Sequence, residues 1–207
     1  MERFEKAYRS CETLQANFLE FYSESGRQVR AEAGLAYFAR PGRMRWEYRS
    51  PETNLYVVDG KWAWFYVPAD HTATRIKARE SADWRTPLAL LAGQMKVAKI
   101  CRRVFLDSSL PPLKPGHLML RCELRGGTQD GSGGTAERVL LEVDPASGEL
   151  GRILVSDPGG VQVEFRFSNW EFNPHLDPRM FRFEPPKGVA IVEGDFGSAP
   201  LALAEKK

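Results

Sequence analysis

The chain has 207 residues, with 29 Lys and Arg against 27 Asp and Glu, and its net charge of +2 excludes a global field that recruits nucleic acid. A mean hydropathy of −0.40 and the lack of any run of 18 apolar residues exclude a membrane-spanning helix. The length suits a single all-β domain over 1–207, large enough to bury a sizeable core.

Residues 1–12 read as an amphipathic helix, with Phe4, Ala7, Tyr8 and Cys11 on one stripe. No apolar leader core follows Met1, so the chain is read as either cytosolic or already mature, and composition does not choose. From Thr13 the period changes to two, and Leu14, Ala16, Phe18, Glu20 and Tyr22 alternate along a long strand. A second strand runs from Gln28 to Ala39 and stops at Arg40-Pro41-Gly42, where proline lacks a donor and glycine frees φ. Arg43 to Arg49 alternates cleanly, with Met44, Trp46 and Tyr48 on an apolar face. Arg43, Arg45, Glu47 and Arg49 occupy the other face, which is expected to be wet. Asn54 to Val58 and Trp62 to Val67 form a hairpin across Asp59-Gly60. Both faces of Trp62 to Val67 are apolar, so this strand needs cover on each side or fronts a dry cavity. These N-terminal strands are assigned to 13–83.

The middle of the chain, 84–105, reads as a lid. Thr86 is a good helix cap, Pro87 suits the first helical position, and Leu88 to Ala92 follow before Gly93. The segment is apolar nearly all round, which suits a plug better than a surface helix. Gln94 to Phe105 fits helix and strand equally. Strands return at His117 to Leu124, Glu137 to Val143, Gly151 to Asp157 and Gln162 to Trp170. Short Gly-rich or Asp/Pro-rich links join them, which predicts an antiparallel meander. A last short strand at Val189 to Val192 closes a C-terminal block over 117–192, and 193–207 is expected to be loose.

Chemistry-bearing motifs are scarce. His71, His117 and His175 lie far apart, and neither a G-x-S-x-G elbow nor a Walker A loop is present. No enzyme activity, cofactor or metal site is expected. Cys11, Cys101 and Cys122 show no metal-ligand spacing and read as buried apolar residues. A Cys101–Cys122 bridge is the alternative in an oxidising compartment, with Cys11 left over.

Several stretches are familiar in their order: Leu35 through Trp46 (LAYFARPGRMRW), Leu55 through Lys61, Trp64 through Pro68, and Thr86-Pro87 with its leucines. Leu141 to Asp144, Phe165-Arg166-Phe167, and Phe181-Arg182-Phe183 with Pro185 through Val189 complete the series. Together they resemble the LolA family of periplasmic lipoprotein carrier proteins over nearly the whole chain. The resemblance implies an incomplete, half-open antiparallel β-barrel whose concave side is capped by a short helical lid. It also implies a monomeric periplasmic chaperone that carries acylated lipoproteins between membranes. Cargo would come from an inner-membrane ABC-type lipoprotein extractor and pass to an outer-membrane lipoprotein receptor. Met44, the Gly-rich stretch 126–134 and the basic segment 96–103 depart from the family pattern, so a lipid- or lipoprotein-sensing module of the same fold is the alternative.

For such a carrier, alternation nominates Leu14, Phe18, Leu35, Tyr37, Met44, Trp46, Tyr48, Trp64 and Tyr66 as the acyl-chain lining, with Leu88 and Leu91 from the lid. A one-residue register slip would exchange the faces. By resemblance, Arg40 is the arginine that ties strands to lid, and it is expected to hold the lid around Leu88 to Leu91 in the closed state, since a guanidinium can donate to carbonyls left exposed at a helix end. Arg43, Met44 and Arg45 are candidate partner contacts, Met44 being placed on the rim.

Overall fold

The computed structural model describes residues 2–78, 91–92, 97–124, 138–156 and 159–194. Helix α1 spans Glu2–Arg9. It exists for its apolar stripe: Phe4 and Tyr8, one turn apart, are both buried. The strands are β1 (Thr13–Glu24), β2 (Arg27–Ala39), β3 (Arg43–Ser50), β4 (Leu55–Val58), β5 (Trp62–Val67) and β6 (Thr72–Lys77). After the short helix α2 (Val97–Ile100) come β7 (Cys101–Leu106), β8 (Leu118–Leu124), β9 (Arg138–Val143), β10 (Leu150–Ser156), β11 (Val161–Phe172) and β12 (Ala190–Glu193). The stretch predicted as either helix or strand is therefore both, α2 running straight into β7. The predicted lid residues Thr86 to Leu90 lie outside the described residues, as does the tail beyond Gly194.

All twelve strands share one open sheet in the order β12-β6-β5-β4-β3-β2-β1-β11-β10-β9-β8-β7. The N-terminal hairpins and the C-terminal meander join where β1 pairs with β11. One pairing departs from the antiparallel expectation: β12 lies parallel to β6. The chain after β11 crosses the outer face of the sheet before β12 begins. There Leu176, Met180 and Phe181 pack on Tyr37 and Ala39, and the Phe183 ring lies 5.3 Å from that of Trp64.

The sheet curls, and its side chains show why. Four-strand neighbours β3-β2-β1-β11 would hold β3 and β11 about 14 Å apart in a flat sheet. Yet the Trp46 ring on β3 lies 5.3 Å from that of Phe165 and 6.1 Å from that of Phe167 on β11. Only a concave inner face brings them together. Gly34 makes room for this: it pairs with Phe18 on one side and Tyr48 on the other. A Cβ there would sit 1.9 Å from the Glu47 carbonyl oxygen and 2.9 Å from the Phe18 ring. The β1–β2 turn places Ser25 and Gly26 both at positive φ, the backbone that matches the strands' twist.

At the far edge a disulfide joins Cys101 on β7 to Cys122 on β8, with a Cα–Cα distance of 5.3 Å, and Cys11 is the buried free thiol. The outer face of β8–β10 is covered by the 107–117 loop. Buried Glu142 pins it by accepting from the amides of Leu113 at 2.9 Å and Lys114 at 3.1 Å, while Arg152 lies 3.0 Å from the same carboxylate.

Candidate functional site

The register decides which predicted residues share a surface. Leu14 faces Phe38, which faces Met44. Trp46 faces Tyr56, which faces Phe65. Leu14, Phe18, Met44, Trp46 and Tyr48 thus lie together on the concave inner face, all in one buried apolar cluster. Leu91 joins that cluster beside Ala92, whose carbonyl accepts from the Gly42 amide at 3.0 Å. Leu88 lies outside the described residues.

The other four nominated residues are on the opposite face. Leu35 pairs with Glu47, Tyr37 with Arg45, and Trp64 with Val57, all one step out of phase with the inner set. Trp64 and Tyr66 pack at a tilt against the Phe183 ring, and Leu35 and Tyr37 pack with Phe181. The surface expected to be wet is therefore covered along β3: Arg45 donates to the Met180 carbonyl at 2.9 Å and to Glu47 at 2.8 Å. Burial pushes the Glu47 carboxyl up, but hydrogen bonds from Arg45 and Arg49 outweigh it and hold the group below its usual range. Met44 is buried in the inner cluster and not on an exposed rim.

Inner-face residues that the nominations omit include Phe38, Tyr56, Val58 and Phe65. Phe165 and Phe167 add to them, along with Ile153 and Val155 from β10. Their signal was available, since Phe165 and Phe167 alternate with Glu164, Arg166 and Ser168. Edge-to-face aromatic contacts tie the surface together, Phe18 to Trp46 at 4.8 Å and Phe18 to Tyr48 at 5.1 Å.

One end of this face is polar. Glu20, 1% exposed, accepts from the Tyr48 hydroxyl at 2.8 Å. It pairs across the strands with Glu32, which Arg30 approaches at 2.7 Å. Burial pushes the Glu32 carboxyl up against the pull of Arg30.

The cover is held at the other end. Arg40 donates through Nη2 to the Tyr8 carbonyl at the close of α1, satisfying an orphan acceptor that a helix end leaves. The Tyr8 hydroxyl accepts from the Leu150 amide at 2.8 Å, and its ring packs on Trp170 and Phe172. Burial pushes this phenol far up, so it stays neutral. Arg40 is expected to hold the lid around Leu88 to Leu91; among the described residues it instead ties the β2–β3 turn to α1. Leu88 to Leu90 lie outside those residues, and it is the Gly42 amide in the same turn that reaches the lid segment, at Ala92.

A family model described as outer membrane lipoprotein carrier protein LolA matches residues 9–106. The outer-membrane lipoprotein carrier protein of Nitrosospira multiformis is 33% identical over 183 residues, covering 87% of this chain and 82% of that one. The chain belongs to the outer-membrane lipoprotein carrier protein family. A second member, from Chromobacterium violaceum, is 32% identical over 88% of this chain and 82% of its own. A further model, described as a predicted periplasmic protein, matches residues 152–193. Among solved structures, an uncharacterized conserved protein from Thermus thermophilus superposes with a TM-score of 0.55. It covers 93% of this chain and 96% of its own at 15% identity, a likeness of fold alone. The lipoprotein carrier family is a family of carriers and not of enzymes.

Proposed function

We propose that this carrier-family member seats the acyl chains of lipoproteins on the inner face of its sheet and conveys them across the periplasm. Cargo comes from an inner-membrane ABC-type extractor and leaves to an outer-membrane receptor, with the chain acting as a monomer. One observation carries the reading. A continuous apolar surface from β5 round to β10 lies under α1 and Leu91-Ala92, and among the described residues hydrogen bonds supply polar ties to that cover. They run from Arg40 to the Tyr8 carbonyl, from the Leu150 amide to the Tyr8 hydroxyl, and from the Gly42 amide to the Ala92 carbonyl. Each methylene moved from water to such a surface contributes about 0.8 kcal/mol. Ten of them give about 8 kcal/mol, in the range of a micromolar complex before the cost of lifting the cover is subtracted. That suits a carrier, which must shield its cargo and still give it up.

The test is displacement of an apolar fluorescent probe bound to the purified chain. A triacylated lipopeptide displaces the probe, and the same peptide without acyl chains leaves it bound. Equal displacement by both peptides, or by neither, overturns the assignment.

A further inference from the structure

On the outer side of the β2–β3 turn lies a cleft of about 600 Å³, and beyond Phe181 and Pro178 a recess of about 250 Å³. Arg43 lines both. Its Nη2 donates to the Arg40 carbonyl at 3.0 Å, and its guanidinium lies 5.5 Å from the centre of the buried Phe181 ring. Its Nε is buried with no acceptor among the described residues. Arg40 and His175 also line the cleft, and Arg179 and Arg182 line the recess. The carboxylates in the linings are Glu12 and Asp59. Asp59 is engaged by the amides of Lys61 and Trp62 at 2.8 and 2.7 Å, and Arg179 is held by Asp177 at 2.6 Å. Among the described residues lining the two hollows, Arg40, Arg43 and Arg182 thus meet two carboxylates, Glu12 in the cleft and Asp59 in the recess, around a guanidinium edge that still has a donor to give.

We propose that this cleft and recess form a docking site for an acidic side chain of a partner protein, whose carboxylate pairs with Arg43 and draws Arg40 from the Tyr8 carbonyl. A guanidinium presents two parallel donors to a carboxylate, and Nε supplies one of them. A membrane surface fits less well. None of the exposed large apolar residues, such as Leu106, Leu118 or Phe172, lines the site, whereas binding in a lipid interface needs apolar side chains to enter it. Freeing Arg40 loosens α1 over the inner face, so docking favours loading. This coupling rests on the carrier reading; the docking itself does not.

The experiment follows ¹⁵N resonances of the full chain, including the arginine Nε–H signals, during titration with acetyl-tetraglutamate amide at low salt. Parallel arms use inorganic phosphate and vesicles of phosphatidylglycerol in phosphatidylcholine. Saturable shifts of Arg43 Nε–H and of the Cys11 and Gly42 amides are expected. Arg43→Gln, and exposed Arg182→Gln as a second variant that leaves the core intact, weaken the binding at least about fivefold. Added peptide raises the affinity for the apolar probe about fivefold, the low end of ordinary coupling between sites, and this gain is lost in Arg40→Leu. Phosphate binding as tightly as the peptide, vesicles binding where the peptide does not, or undiminished binding in both glutamine variants would each overturn the proposal. If the probe fails to bind at all, the carrier reading falls while the docking site stands on the titration.

Discussion

Arg40→Leu tests how the cover is fastened. The substitution removes a hydrogen bond from a charged, half-buried donor to the Tyr8 carbonyl. Such bonds contribute about 1.5–3 kcal/mol, and the low end applies beside solvent. The rest of the α1 attachment stays: Phe4 and Tyr8 remain buried, and Leu150 still donates to the Tyr8 hydroxyl. Losing about 1.5 kcal/mol from the closed state alone multiplies the open population about tenfold. When binding requires opening, apparent affinity scales with the open fraction, so the variant binds an apolar probe up to about tenfold more tightly. It also hands cargo on more slowly, because the closed state no longer competes for the surface. Fluorescence titration gives the affinity, and amide hydrogen exchange in α1 reports the loosened helix. Unchanged or weaker probe binding, with α1 exchange as slow as in the parent, would refute the latch.

Three further outcomes are expected. Gly34→Ala drives a methyl against the Glu47 carbonyl and the Phe18 ring; its urea midpoint drops by the equivalent of about 3 kcal/mol or more, or the chain fails to fold. Replacing Cys101 and Cys122 together by serine opens a loop of sequence separation 21, and denaturant unfolding shows a loss of about 3 kcal/mol, matched by adding reductant to the parent chain. Burial pushes the Asp107 carboxyl up, but bonds from Ser109 and Arg121 outweigh it and bring it down to about 2. A lowered carboxyl adds stability above its unfolded value near 3.9 that is lost as pH falls toward 2. Thermal scans across that window should therefore show a shallower fall for Asp107→Asn than for the parent.

Much of the fold was legible because its strands carry one clear period. Arg43 to Arg49 sorts Met44, Trp46 and Tyr48 from charged neighbours, and the register keeps those three on one buried face. The Asp59-Gly60 turn joins β4 to β5 as read, with Gly60 at positive φ. The site was harder to read. Leu35, Tyr37, Trp64 and Tyr66 look like lining because the outer face is also covered, by Leu176 to Phe183, so those strands have no wet side to fix the phase. Strand β6 escaped notice because Thr72 to Lys77 buries only Ala73 fully. Its parallel partner β12 depends on a crossing that local pattern cannot show. The inner position of Glu20 was visible in the β1 alternation, but its bond from Tyr48 needs the curl that brings β3 over β1.

The most direct measurement places a photo-crosslinking phenylalanine analogue at Phe167, on the inner face, and separately at Tyr66, on the outer face, in chains loaded with acylated lipopeptide. Illumination should attach acyl chain at position 167 and leave position 66 unmodified. Attachment at 66 with none at 167 would place the fatty tails on the wrong side of the sheet and contradict the account.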